Sequence, residues 1–155
     1  MNRLQREIRQ RTPFPHVEEE AYLNLVRTAS ALQAGVVAFL KPFGLTPSQY
    51  NVLRILRGAG AAGLPAGEIG ERMVNRDPDI TRLLDRLERS GLARRGHDAR
   101  DRRIVRVKIS ERGTSLLKKL DGAMSNLHLD QLGHVGKRRL RTLVQLLEHA
   151  RTLGS

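Results

Sequence analysis

A mainly α fold with a small β element, the α+β class, is predicted by three observations. Apolar residues recur at helical spacing along most of the 155 residues, one short stretch near Val105 alternates with period two, and the residues between these patterns are those that start and stop helices. The chain is long enough for one domain with a sizeable core, or one domain with helical extensions. A net charge of +12 sets the polarity of its partner before any motif is considered.

Residues 1–16 carry four arginines and two prolines, the composition of a loose basic tail; the alternative is an ordered arm. A long helix is expected from Val17 to Leu40, where Ala21, Leu25, Val26, Ala29, Leu32, Val36, Val37 and Leu40 exceed one narrow stripe. Thr46, Pro47, Ser48 and Gln49 form a capping box with proline at the first helical position, and Tyr50, Leu53, Ile55 and Leu56 follow before Gly58 to Gly63 ends that helix. Leu64 to Met73 reads as a short helix with Ile69 and Met73 one turn apart, and Val74 to Arg76 as a turn.

The next helix has a start and a stop in the sequence. Asp77 is placed to cap it, Pro78 suits the first position, Asp79 complements the helix dipole, and Gly91 supplies a left-handed stop. Ile80, Leu83, Leu84 and Leu87 make its buried stripe, and Thr81, Arg82, Asp85, Arg86 and Arg89 its other face. On a plain solvated face Asp85 and Arg89 would simply pair at i, i+4. Val105 to Ile109 then alternates, with Val105, Val107 and Ile109 opposite Arg106 and Lys108, and Leu92 to Arg95 supplies a partner strand across the connection Gly96 to Arg103. Ser110 caps a helix bearing Leu116, Leu117, Leu120, Met124 and Leu127. After Gly133 to Gly136 a last helix carries Leu140, Leu143, Val144, Leu146, Leu147, Ala150 and Leu153.

Helix, loop, short helix, turn, helix, ribbon is the order of a winged helix-turn-helix. From Arg89 to Arg112 nine lysines and arginines face Asp98, Asp101 and Glu111, a local balance of +6. An arginine-rich ribbon tip repels itself unless a polyanion sits opposite, so a nucleic acid duplex is the expected partner, against the blander reading of a soluble loop. Three Phe, two Tyr and no Trp leave few platforms for stacking unpaired bases, which argues against single strands.

With no cysteine, disulfides, thiolate metal sites and cysteine nucleophiles are excluded. The five histidines show no metal-ligand spacing, so no metal or cofactor is expected. No G-x-S-x-G elbow, phosphate-binding loop or H-E-x-x-H motif is present, and the chain is read as a non-enzyme. The N-terminus lacks an apolar signal core, and Ala31 to Leu40, the longest apolar run, is interrupted by Gln33; no membrane partner and a cytoplasmic location are the expectation. The terminal helices carry more apolar surface than one small lobe covers, which points to a symmetric dimer, the alternative being an intramolecular bundle.

LTPSQYNVLRIL, DITRLLDRLERSGLARR and above all DARDRRIVRVKISERG resemble the MarR family (multiple antibiotic resistance regulators), from about Glu18 to the last helix. The resemblance implies one domain over 1–155, with dimerisation helices at 17–42 and 111–153 and a DNA-binding lobe at 45–110. It implies a homodimeric transcription factor, expected to be a repressor, on a pseudo-palindromic operator, with Asp77 to Ser90 as recognition helix. Thr81, Arg82 and Arg86 would then reach bases or flanking phosphates and Arg76 the backbone. Asp79 would accept from a cytosine amino group or serve only the helix start. Arg100 corresponds to the wing arginine of the minor groove, held by Asp98, with Arg102 and Arg103 on phosphates or bracing the wing. Many members bind small aromatic or phenolic anions between the dimerisation helices and the lobe; Tyr50 is the candidate anchor for such an effector. The competing function is a constitutive architectural DNA-binding protein with no effector and little sequence preference.

Overall fold

The computed structural model describes residues 2–75, 79–98 and 101–152, in two compact units, Met1–Phe39 and Leu40–Ser155. It is mainly helical with one small sheet, as expected.

In the first unit, residues expected as a loose tail form an ordered turn of helix. Asn2 and Gln5 close a capping box on α1 (Arg3–Glu7), because each satisfies a backbone N–H that the helix start leaves open. Glu7 binds Arg3 at 2.8 Å and Arg27 of α2 (Val17–Leu40) at 2.6 Å, fastening the arm. Those two hydrogen bonds, Arg3 first, hold the Glu7 carboxyl below the usual carboxylate range. On α2 the apolar residues stay largely in water: Val17 is 73% exposed and Tyr22 64%. Contrary to the expectation from its apolar runs, the helical stretch Val17–Phe43 is long and apolar enough to cross a membrane by length and composition.

The second unit holds the core. α3 (Pro47–Ala59) begins as expected, with the Thr46 hydroxyl accepting from the Gln49 N–H at 3.2 Å and the Gln49 side chain returning to the Thr46 N–H at 2.9 Å. After a 3₁₀ turn at Gly60–Ala62 the chain departs from the expected short helix. Leu64–Pro65 is a strand, β1, and only Ala66–Arg72 is helical, α4. β1 pairs with β3 (Val105–Ile109), which pairs with β2 (Ala93–His97), so the ribbon is a three-stranded antiparallel sheet of order β1-β3-β2. Leu64 sits opposite Val107 and Pro65 opposite Arg106. Proline is tolerated there because β1 is an edge strand. The junction needs Gly63: its φ is +63°, and a Cβ would lie 2.5 Å from the Val107 carbonyl oxygen.

α5 (Ile80–Arg89) buries Leu83, Leu84 and Leu87, and stops as expected at Gly91, whose φ is +70°. Leu92 donates to the Leu87 carbonyl and Gly91 to Glu88, each at 2.9 Å, which closes the last turn as a Schellman motif. Ser110 then caps α6 (Glu111–Leu132), accepting from Gly113 at 3.0 Å while donating to the Gly91 carbonyl at 2.7 Å. One buried serine thus joins the end of α5 to the start of α6. Leu53 and Leu56 of α3, Ile69 of α4, Leu84 and Leu87 of α5, Val107 of β3, and Leu117 and Leu120 of α6 are nearly fully buried and form the core. α7 (Lys137–Arg151) follows the 3₁₀ turn Gly133–Val135 and buries none of its residues.

Candidate nucleic-acid interface

α5 is oriented by its leucines. With Leu83, Leu84 and Leu87 fixed in the core, the 100° step per residue places Arg82, Arg86 and Arg89 on one outward stripe and Thr81, Asp85 and Glu88 on the next. All three arginines are exposed, and among the described residues no carboxylate pairs with Arg86 or Arg89. Arg89 was not singled out from the sequence because Asp85 lies one turn before it and could have neutralised it. The structure turns Asp85 elsewhere, and Arg89 donates to the Asp85 carbonyl at 3.4 Å. The signal for Arg89 was its phase, seven residues after Arg82.

The start of α5 corrects the expected boundary. The helix begins at Ile80, and Asp79 is the cap, its carboxylate accepting from the Arg82 N–H at 3.2 Å and pairing with the Arg82 guanidinium at 3.1 Å. Of the two roles foreseen for Asp79, its bonds here serve the helix start. Asp77 and Pro78, the expected cap and first residue, lie outside the described residues, as does Arg76. Asn51 of α3 accepts from the Val74 N–H at 2.9 Å, tying the chain before α5 to the lobe.

In the hairpin, strand β2 reaches His97, two residues beyond the expected end, with Ala93 opposite Ile109 and His97 opposite Val105. Identical residue types here have different fates. Arg95 folds back onto α5: its guanidinium lies 2.5 Å from Asp85 and 2.9 Å from Glu88, and its N–H donates to Glu88 at 3.1 Å. That arrangement, Asp85 foremost, binds the guanidinium proton more tightly than in free arginine. Arg106, expected on the outward face with Lys108, is half-buried; it grips the Asp98 carboxylate and donates to the Gly63 carbonyl at 3.2 Å. Asp98 therefore holds Arg106; Arg100, its expected partner, lies outside the described residues.

The tip is organised by its acids. Asp98 accepts from the Asp101 N–H at 3.3 Å, Asp101 from the Arg103 N–H at 2.9 Å, and His97 Nδ1 lies 2.8 Å from the Arg102 carbonyl. The side chains of Arg102 and Arg103 remain exposed, with no carboxylate pairing with them among the described residues. Arg94 and Lys108, cross-strand partners, add two more exposed cations. The result is an outward array of cations on a helix and a hairpin, with Asp85, Glu88, Asp98 and Asp101 bonded inside the scaffold. Such an array attracts phosphates by charge and, on a helix, fits a duplex groove.

A cleft of about 400 Å³ opens beside this scaffold, lined by Phe43, Gly44, Ser90, Leu92, Arg112, Ser115, Leu116 and Lys119. Its walls are mostly apolar and two cations overlook it. Tyr50, the candidate effector anchor, is 8% exposed on α3 and does not line it.

The MarR family model matches residues 43–104, the stretch from the cleft to the wing. A crystal structure of a MarR transcription factor from Planctomyces limnophilus is similar over 88% of this chain and 98% of its own, at 38% identity and a TM-score of 0.67. The transcriptional repressor MdtR of Bacillus subtilis (strain 168) is 32% identical over 91 residues, 59% of this chain, which spans 57% of MdtR's length. The fold also matches that of S. aureus MepR, solved as a DNA complex, over 85% of this chain and 98% of that one, at 22% identity and a TM-score of 0.74.

Proposed function

This chain belongs to the MarR family and is a DNA-binding transcriptional regulator, and from that premise we propose that it is a cytoplasmic homodimeric repressor of a pseudo-palindromic operator, released by a small organic anion. The observation that carries this reading is the sorting of charge: Arg82, Arg86 and Arg89 on α5, and Arg102 and Arg103 at the tip, are outward, while nearby acids are engaged within the scaffold. Thr81, Arg82 and Arg86 then read major-groove edges or flanking phosphates, and Arg76, Arg100, Arg102 and Arg103 hold backbone or the minor groove. The Arg82–Asp79 pair is exposed, so exchanging it for a phosphate costs little.

Two copies are supported by the exposed apolar faces of α2 and α7, where Val17, Tyr22 and Leu146 are each at least 60% exposed. A lipid partner suits α2 less well, since Asn24, Arg27 and Gln33 interrupt it at positions hydrocarbon would not solvate. The effector reading moves from Tyr50 to the cleft, whose volume is that of small-molecule sites and whose Arg112 and Lys119 would balance a carboxylate beside Phe43. Benzoate should raise the unfolding midpoint of the protein and Lys119→Ala should remove that rise.

Selection of random double-stranded DNA by the purified protein tests the central claim. An inverted repeat with half-sites about ten base pairs apart is expected. Failure to enrich any motif would sink the repressor reading and leave an architectural protein.

A further inference from the structure

Of the hairpin's cations, Arg95 and Arg106 are bound inside the scaffold, and the three bonds of Arg95 all lead to α5. Asp85 and Glu88 occupy the stripe beside Arg82, Arg86 and Arg89, so without a partner their carboxylates would flank the cations that meet phosphate. A guanidinium that receives both, backed by the Arg95 N–H bond to Glu88, also fixes β2 against the end of α5. The hairpin is held from its other strand by Arg106, through Asp98 and the Gly63 carbonyl. Helix and wing must contact DNA at two separate places, so the angle between them decides whether both can engage one half-site.

We infer that Arg95 is a positioning residue for DNA recognition, a strap from β2 to Asp85 and Glu88 that sets the wing against the recognition helix. The inference rests on α5 and the hairpin being the elements that face DNA. Lysine does not substitute for Arg95, because one ammonium on a flexible stem does not reproduce a planar fork spanning two carboxylates.

The test uses a duplex carrying the selected inverted repeat and a random-sequence duplex, with Arg95→Ala and Arg95→Lys in the full-length protein. Both variants should bind the inverted repeat about tenfold more weakly, with random-sequence affinity and the slope of log K against log salt unchanged. Hydroxyl-radical footprints should lose the flanking protection due to the wing and keep the central protection due to α5. A different pattern overturns the strap: Arg95→Lys binding like the parent, or Arg95→Ala lowering the salt slope by about 0.9 with an intact footprint, makes Arg95 a phosphate contact. Unchanged binding in both variants removes any role.

Should the parent protein fail to distinguish the two duplexes, the regulator reading fails and the strap is judged without DNA. Arg95→Ala should then speed amide hydrogen exchange across β2 and β3 but not in α3, and unchanged exchange overturns the inference.

Discussion

Leucines of the winged lobe and those on α7 and the far end of α6 occupy contrasting environments. Leu53, Leu56, Leu84 and Leu87 are at most 1% exposed, whereas Leu129 near the end of α6 is 64% exposed and Leu146 on α7 is 60% exposed. The lobe's helices are short, yet each lays its apolar stripe against the others within one chain. α2 and α7 run to 24 and 15 residues and leave theirs facing water. The difference separates two sources of stability, since the lobe draws on burial inside the chain while the terminal helices, in the proposed homodimer, would draw on a second copy, whose contribution depends on concentration.

The largest effect should come from breaking the lobe at its tightest approach. A Cβ on Gly113 would lie 2.4 Å from the Leu92 carbonyl oxygen and 2.8 Å from Ile109 Cγ1, so Gly113→Ala should cost about 3 kcal/mol. Urea unfolding should show that loss at every protein concentration; a parental midpoint would mean α6 is not seated where described. On the other side of the comparison, Leu146→Glu should leave lobe stability unchanged but weaken dimerisation by ~2 kcal/mol, about thirtyfold in dissociation constant. Sedimentation velocity over a dilution series checks this, and an unaltered dimer would place the interface off that face of α7.

A smaller effect is expected where α6 meets the lobe. Arg57 of α3 binds Asp121 in bidentate fashion at 2.8 and 2.9 Å, but both side chains are substantially hydrated, so Arg57→Ala should cost only about 0.5 kcal/mol. Hydrogen bonding to Arg57 holds the Asp121 carboxyl below its ordinary value. Its contribution is therefore complete above the unfolded value of about 4 and is lost as pH falls through the lowered folded value. The stability gap between parent and variant should be constant from neutral pH down to about 4 and close below it. A gap that widens in acid would contradict the pairing.

Much of the lobe is legible in the sequence because caps and stops are local. Thr46 with Gln49, Ser110 with Gly113, and Gly91 after Arg89 act within three residues, so a short string specifies them wherever the chain goes. β1 was not legible, because two residues are too few for an alternating pattern and Leu64 becomes a strand only by lying opposite Val107. The sequence leaves the arm at Arg3–Glu7 open between tail and ordered arm for a similar reason: five residues form no stable helix alone, and Arg27 of α2 helps to hold them.

The cationic site divides along the same line. Its composition, and Arg82, Arg86, Arg102 and Arg103 as outward cations, follow from helical phase and from the density of charge between Arg89 and Arg112. Which arginines remain for a ligand does not follow. Asp85 has Arg89 one turn away and Arg95 ten residues on, and nothing in their spacing favours the second. Sequence alone determined where elements begin, end and carry charge, since those depend on neighbours within a turn. The pairing of Arg95 with α5 and of Arg106 with Asp98 was decided only when folding set β2 beside α5 and beside β3, because Coulombic and hydrogen-bond energies depend on distance in space and not along the chain.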